Sequence, residues 1–322
     1  MKPSVSDLPN EKNPSPAPPS WKSSTPLPNA KPLPALTFGL CGGCQYQHLN
    51  YPEQLRLKTK QLRDTLQRLG SLTDPDIRPI IASPLPLNYR NRISVHQEGP
   101  TIGFKAINGR DLVDVRECLL ATPEVNRKLA HLRAHPGQRE HYSLRASHIP
   151  ELGFFQANDG LLEQLRQLIN THLAPEIRSV IECYAGAGFF AQAYAERMAQ
   201  VILIEQDSRS LDLARRSFGP TVICLEGSCE EHLPTLLSPP SSEHPTACIV
   251  DPPREGLSDG YPTPTPAKRP SLHQLLLPLC NPATLARDLK ALAPAWRPLY
   301  FQPIDLFPQT AHIECLVSLT AA

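Results

Sequence analysis

The feature that most constrains this chain is a strand–turn–strand arrangement near its middle. Ser179-Val-Ile-Glu-Cys-Tyr184 reads as a buried strand, Ala185-Gly186-Ala187-Gly188 follows at once, and Val201-Ile-Leu-Ile204 is the next apolar run, ending at Glu205. Around it the apolar pattern alternates between the two periods. Leu161, Leu162, Leu165, Leu168 and Ile169 form a helical stripe, and helices are predicted over Phe189–Met198, Asp207–Phe218 and Thr284–Leu292. Strands are predicted over Thr221–Leu225, Ala247–Val250 and Leu316–Leu319. Strands alternating with helices predict an α/β, doubly wound Rossmann-like domain over residues 151–322.

The glycine turn suggests a ligand. Gly186 and Gly188 let backbone approach a bound molecule, and a helix N-terminus draws negative charge. Glu205, at the end of the next strand, can accept both hydroxyls of a ribose. The third glycine of the dinucleotide fingerprint is missing. That favours S-adenosylmethionine, which has no pyrophosphate to cradle, over a nicotinamide dinucleotide. A tight turn without a ligand is the plain alternative.

Upstream the composition changes. Of 37 prolines, ten fall in the first 36 residues among Ser, Asn and Lys, so Met1–Leu36 reads as a disordered proline-rich tail. Residues 37–150 read as a small α+β module. Its helix runs over Tyr51–Leu69 with Leu55, Leu62, Leu66 and Leu69 on one face, and its strands over Arg92–His96, Thr101–Lys105 and Asp111–Val115. His131–Ser147 is polar without clear periodicity. The net formal charge of +1 hides an asymmetry: Tyr51–Pro150 carries 16 Lys+Arg against 10 Asp+Glu, and Glu151–Ala322 carries 12 against 19. A basic middle suits phosphate contacts. No run is long and apolar enough for a membrane span, and the N-terminus lacks a secretory apolar core, so no membrane partner and a cytoplasmic location are expected.

Nine dispersed cysteines fit a reducing compartment. Cys280, in Leu277-Pro-Leu-Cys280-Asn281-Pro282, stands where an apolar strand-like run meets a helix. A thiol near helix N–H groups has a depressed pKa and can serve as a nucleophile; an inert buried thiol is the alternative. Asp251-Pro-Pro-Arg254 closes a strand at the end where such sheets place ligands. Cys41-Gly-Gly-Cys44 has metal-type spacing and suits half of a zinc or iron–sulfur site, or a redox pair; Cys118 is the one further thiol of that module. Cys183, Cys224, Cys229, Cys248 and Cys315 are assigned to packing.

Together these segments resemble the RNA 5-methyluridine methyltransferase family, whose members use S-adenosylmethionine. The resemblance spans about Cys41 to Leu319. It rests on Cys-Gly-Gly-Cys-Gln-Tyr-Gln-His (41–48), Tyr89-Arg-Asn-Arg92, Gly103-Phe-Lys105, Phe154-Phe-Gln156-Ala-Asn158, Tyr184-Ala-Gly-Ala-Gly188, Asp251-Pro-Pro-Arg254, Cys280-Asn-Pro-Ala-Thr-Leu-Ala-Arg-Asp288 and Asp305-Leu-Phe-Pro-Gln-Thr-Ala-His312-Ile-Glu314. It implies a class I methyltransferase fold with Cys280 as nucleophile toward C6 of a uracil and Glu314 as the base that removes the C5 proton. Gln156, Tyr184, Phe189, Glu205, Asp251 and Ser228 match cofactor-holding positions, with Gly186 and Gly188 in the turn. The target uridine would be unpaired or flipped out.

The resemblance also has gaps. Cys41, Cys44 and Cys118 match three ligands of a [4Fe-4S] cluster, and the fourth position holds Ala35. The oligonucleotide-binding barrel at the N-terminus of many members is missing, and the stretch from Cys118 to Phe154 is short. Members with cluster cysteines mostly modify ribosomal RNA, so ribosomal RNA is the expected partner of a monomeric enzyme that makes 5-methyluridine, with transfer RNA as the alternative. A non-catalytic RNA-binding or RNA-folding protein on the same shell, and a dinucleotide oxidoreductase, are the competing expectations.

Overall fold

The computed structural model describes residues 35–149, 156–238, 244–253, 255–258, 261, 263–265, 267, 270–279 and 281–322. The expected proline-rich tail falls outside them except for its last two positions, as do Phe154, Phe155, Arg254 and Cys280. The elements are, in order, α1 (Tyr51–Arg68), β1 (Arg92–Glu98), β2 (Thr101–Lys105), β3 (Leu112–Asp114), α2 (Pro123–Ala134), β4 (His141–Arg145), α3 (Leu162–His172), β5 (Ser179–Cys183), β6 (Gln200–Glu205), α4 (Ser208–Phe218), β7 (Ile223–Glu226), α5 (Cys229–Leu236), β8 (Thr246–Val250), β9 (Leu272–Leu279), α6 (Pro282–Leu292), β10 (Trp296–Ile304) and β11 (Glu314–Ala321).

The large sheet has seven strands in the order β10-β11-β9-β8-β5-β6-β7. Strands β5 to β9 run parallel, and β11 lies antiparallel between β9 and β10. This is the expected Rossmann-like sheet. Its order reverses between β5 and β8, which opens a crevice beyond their C-terminal ends. Alternation along each strand supplies both faces. Ile181, Cys183, Ile202 and Ile204 enter one apolar cluster, while Val180, Val201 and Leu203 enter the other.

A separate four-stranded antiparallel sheet, β3-β2-β1-β4, packs Ile93, Val95 and Ile102 against Val125, Leu129 and Leu132 of α2. Helix α1 belongs with the large sheet: Leu62 and Leu66 join its first cluster. Each such burial contributes about 1.5–3 kcal/mol. Asn50 caps α1 by accepting from the Glu53 N–H at 2.9 Å.

The helix expected over Phe189–Met198 is replaced by two short 3-10 turns, Ala191–Ala193 and Ala195–Arg197. Between them Tyr194 leaves helical dihedrals, with φ −130° and ψ −15°. Its hydroxyl donates to the carboxylate of Glu182, buried in the middle of β5. That bond ties the segment to the sheet at the cost of helical continuity.

Glu182 gives a pH prediction. Burial pushes its carboxyl up to about 7 from an ordinary 4.5, and the Tyr194 hydrogen bond opposes the rise. The folded chain therefore holds a proton that the unfolded chain releases between these values. Stability from this group is complete below pH 4.5 and falls as pH rises through 7, by about 3 kcal/mol. Glu182→Gln keeps an acceptor for Tyr194 and carries no charge. Its melting temperature should match the wild type near pH 5 and exceed it at pH 8; equal values at both would show that Glu182 is ionised in the fold.

Candidate active site

The crevice is built from strand ends. After β5 the chain turns sharply: Tyr184 has φ 58°, Gly186 φ 54° and Gly188 φ 76°. The Ala185 N–H still donates to Ile204 O at 3.0 Å, extending the parallel pairing by one residue. The loop then leaves the sheet. A Cβ on Gly186 would meet nothing within 4 Å, so the space above it is open. At Gly188 a Cβ would stand 2.5 Å from the Phe218 ring of α4, so glycine is needed there for packing.

Glu205 closes one side. Its carboxylate accepts the Gly186 N–H at 2.8 Å through one oxygen and the Asp207 N–H at 2.8 Å through the other. Two backbone donors fix the side chain and leave further acceptor capacity on both oxygens. A pair of vicinal hydroxyls is the natural complement. With open space over Gly186, the arrangement fits an adenosyl ligand.

Opposite, the Tyr184 and Tyr261 rings stack, with centroids 6.5 Å apart and planes 21° apart. The Tyr261 hydroxyl reaches Cys183 Sγ at 3.7 Å. Ser228 has a structural task of its own, capping α5 by accepting from the Glu231 N–H at 3.1 Å. Phe189 is half-buried on the second face of the sheet, 5.1 Å from Phe190 and with the Arg166 guanidinium 5.6 Å from its ring centroid. Gln156 is half-buried, and its carbonyl accepts from Asn91 Nδ2 at 2.8 Å.

The residues expected to carry the chemistry belong to the next strands. Asp251 follows β8, and its N–H points to Cys183 O at 3.4 Å. Burial raises its carboxyl well above the usual carboxylate range, and the nearby negative charges of Glu314 and Glu182 raise it further. Asp251 and Glu314 therefore lie near enough for their charges to act on each other. Glu314 is the first residue of β11, paired with Ile304, and its neighbour Cys315 pairs with Leu279, the last residue of β9. Cys280 lies outside the described residues, but both chain neighbours are placed. Asn281 caps α6, accepting the Ala283 N–H at 3.0 Å, and Pro282 occupies the first turn. The chain between Leu279 and Asn281 thus joins the strand paired beside Glu314 to a helix N-terminus.

The segment leading into Glu314 is held from outside the sheet. Lys58, on the buried face of α1, donates to Asp305 at 2.6 Å and to Phe307 O at 2.9 Å, and neither charged side chain is exposed. Gln54 and Gln309 exchange hydrogen bonds: Gln54 Nε2 donates to Gln309 Oε1 and the Gln309 N–H to Gln54 Oε1, each at 2.9 Å. Gln309 O accepts the N–H groups of Gln45 and Tyr46, each at 3.0 Å. Tyr89 donates to Pro308 O at 3.1 Å. Sequence reasoning missed this clamp. The signal was present: a lysine at position 58 interrupts the apolar stripe that continues as Leu62 and Leu66.

Cys41, Cys44 and Cys118 come near enough for Cys118 to push up both other thiols, with burial as the larger cause; Cys44 rises to about 12. The Gly43 N–H donates to Cys41 Sγ at 3.4 Å. Yet among the described residues no three His, Cys, Asp or Glu form a group that could hold a metal ion. The [4Fe-4S] cluster that the resemblance left open finds no support in this arrangement, and Ala35 offers no side-chain donor. Among the described residues no helix is long and apolar enough to cross a membrane.

No family model matches the chain. It is 28% identical to an uncharacterised RNA methyltransferase of Synechocystis sp., over 87% of this chain and 80% of that one. It is 27% identical to the tRNA (uracil(54)-C(5))-methyltransferase of Schizosaccharomyces pombe, over 88% of this chain and 64% of that longer one. Among solved structures, the Pyrococcus abyssi tRNA (uracil-54, C5)-methyltransferase in complex with S-adenosyl-L-homocysteine superposes with a TM-score of 0.66 at 22% identity, covering 87% of this chain and 85% of that one. That likeness bears out the fold. The sequence matches bear out the relationship to RNA methyltransferases.

Proposed function

We propose that this homologue of S-adenosylmethionine-dependent RNA methyltransferases transfers a methyl group to C5 of an unpaired uridine. The observation that carries this is the strand register: Leu279, the last residue of β9, lies opposite Cys315, the neighbour of Glu314, in the same sheet whose β6 end holds Glu205 against the open backbone of Gly186. S-adenosylmethionine, when bound, supplies a methyl group on a sulfonium. Cys280 adds its thiolate to C6 of the uracil, which makes C5 electron-rich toward that methyl. The helix N-terminus capped by Asn281 favours the thiolate. Glu314 then takes the proton from C5, and the C6–Sγ bond breaks to restore the double bond and free the thiol. Asp251, whose carboxyl is raised by burial and by its carboxylate neighbours, can hydrogen-bond to the base.

The Schizosaccharomyces pombe relative is by name a transfer-RNA enzyme, as is the Pyrococcus abyssi protein that shares the fold. The Cys41–Cys44 pair instead resembles ribosomal-RNA members. The RNA fraction that carries the product separates these two substrates. RNA tritiated at uridine C5 tests the chemistry: each methyl transferred should release one tritium to water. Methyl incorporation without tritium release would place the reaction at another atom.

The two glycines of the turn should respond differently to alanine. Gly186→Ala puts a methyl into the ligand space at a backbone cost of about 1 kcal/mol. It should weaken S-adenosylmethionine binding at least about tenfold while the fold persists. Gly188→Ala drives a Cβ into Phe218 and should lower stability by about 2–4 kcal/mol. Calorimetry of binding together with melting curves distinguishes them; equal ligand affinity in Gly186→Ala and wild type would remove the glycine turn from the cofactor site.

A further inference from the structure

A groove of about 580 Å³ runs between α1 and the segment 77–80, apart from the cofactor crevice. Arg56, Lys60 and Arg63 line one side, Arg78 stands on the other, and Leu55 and Ile77 contribute apolar surface. No carboxylate lines it. The three cations of α1 recur at three- and four-residue spacing, so they lie on one face along about 10 Å of helix.

We infer that this groove is a track for the backbone of the RNA substrate. The inference rests on the function proposed above, and charge complementarity selects the occupant. Carboxylates at the rim partner three of the cations: Glu53 holds Arg56 at 2.6 Å, Asp64 holds Lys60, and Asp74 approaches Arg63 at 3.8 Å. These pairs are exposed on at least one side and are worth about 0–1 kcal/mol each, so phosphates displace them at small cost. Arg78 has no carboxylate partner among the described residues. Its guanidinium carbon sits 3.4 Å from the Tyr300 ring centroid, and its Nη1 lies 3.3 Å from His172 Nε2. Burial lowers the His172 pKa, as does the Arg78 charge, so that ring stays neutral at physiological pH. Arg78 is therefore an oriented cation ready for an anion. A cationic groove is the element that tracks the backbone of single-stranded nucleic acid.

The same helix carries Gln54 and Lys58 on its opposite, buried face, where they hold the segment running from Asp305 to Glu314.

The test is direct binding of bulk transfer RNA and of ribosomal RNA fragments by the full chain, across a range of salt concentrations. The triple substitution Arg56→Gln, Lys60→Gln, Arg63→Gln should reduce the slope of log affinity against log salt by about 2 for a single-stranded contact, since each lost phosphate contact is worth about 0.7. Affinity at physiological salt should fall at least about tenfold. Arg78→Gln should add a further loss. S-adenosylmethionine affinity and melting temperature report that the variants are folded. Unchanged slope and affinity in folded variants overturn the track. The binding readout is independent of turnover: a reduced slope with no methyl transfer by the wild type keeps the track and sinks the proposed reaction, whereas wild-type transfer with an unchanged slope does the reverse.

Discussion

Cys280→Ala should abolish methyl transfer to RNA, by about 10⁴-fold or more, while S-adenosylmethionine affinity changes less than about twofold. The size follows from losing the covalent step: without addition at C6 the uracil C5 is too poor a nucleophile, and no neighbouring group replaces the sulfur. The affinity should hold because the contacts proposed for the cofactor come from other strand ends, the Gly186 turn and Glu205. Glu314→Gln should behave differently. Addition and methylation still proceed, but the C5 proton stays, so the thiol cannot leave. A covalent RNA–protein adduct should accumulate and migrate as a retarded band in denaturing gels, lost again in the double variant with Cys280→Ala. Full activity in Cys280→Ala would remove the nucleophile from the account.

Lys58→Met should cost about 3–5 kcal/mol, because it leaves the buried Asp305 carboxylate uncompensated. For a chain of this size that lowers the melting temperature by about 10 °C. Asp305 is already raised by burial and held down mainly by the Lys58 charge, so removing Lys58 raises its carboxyl further. The double variant Lys58→Met, Asp305→Leu should recover most of the loss, since a well-packed apolar pair often equals a buried ion pair. The clamp also aligns the segment that ends in Glu314. The single variant should therefore release C5 tritium more slowly than its folded fraction explains. A single variant with wild-type stability would show that the pair is not buried in solution.

Most of the crevice could be read from the sequence because its signals are local. The apolar runs of β5 and β6, the glycines at 186 and 188, and Glu205 at a strand end all obey short-range rules, and the structure joins them by the Glu205–Gly186 hydrogen bond. The elements that escaped carry local contradictions. β10 contains Pro298 and Pro303, which weaken any strand signal; they are tolerated because β10 is the last strand of the sheet, with β11 on one side and only isolated bridges to Ile77 and Ile81 on the other. α5 contains Pro234. α2 shows a capping Thr122, Pro123 in the first turn and buried Val125, Leu129 and Leu132, a pattern that the polar stretch from His131 onward obscured. β4 is short and polar, and its strand identity comes from pairing with β1. The helix expected at 189–198 failed for a tertiary reason, the pull of buried Glu182 on Tyr194. The clamp on the 305–309 segment joins residues up to 255 positions apart: Lys58 within an apolar stripe signals a buried partner, but no local pattern names that partner.

The most direct measurement is nucleoside analysis of total RNA from cells that lack this gene, after incubation with the purified full chain and methyl-labelled S-adenosylmethionine. The account predicts label in 5-methyluridine, absent when Cys280→Ala replaces the wild type, and confined to fragments of transfer RNA or ribosomal RNA that identify the substrate. Label in a different nucleoside, or none in any RNA by a chain that binds S-adenosylmethionine, would contradict it.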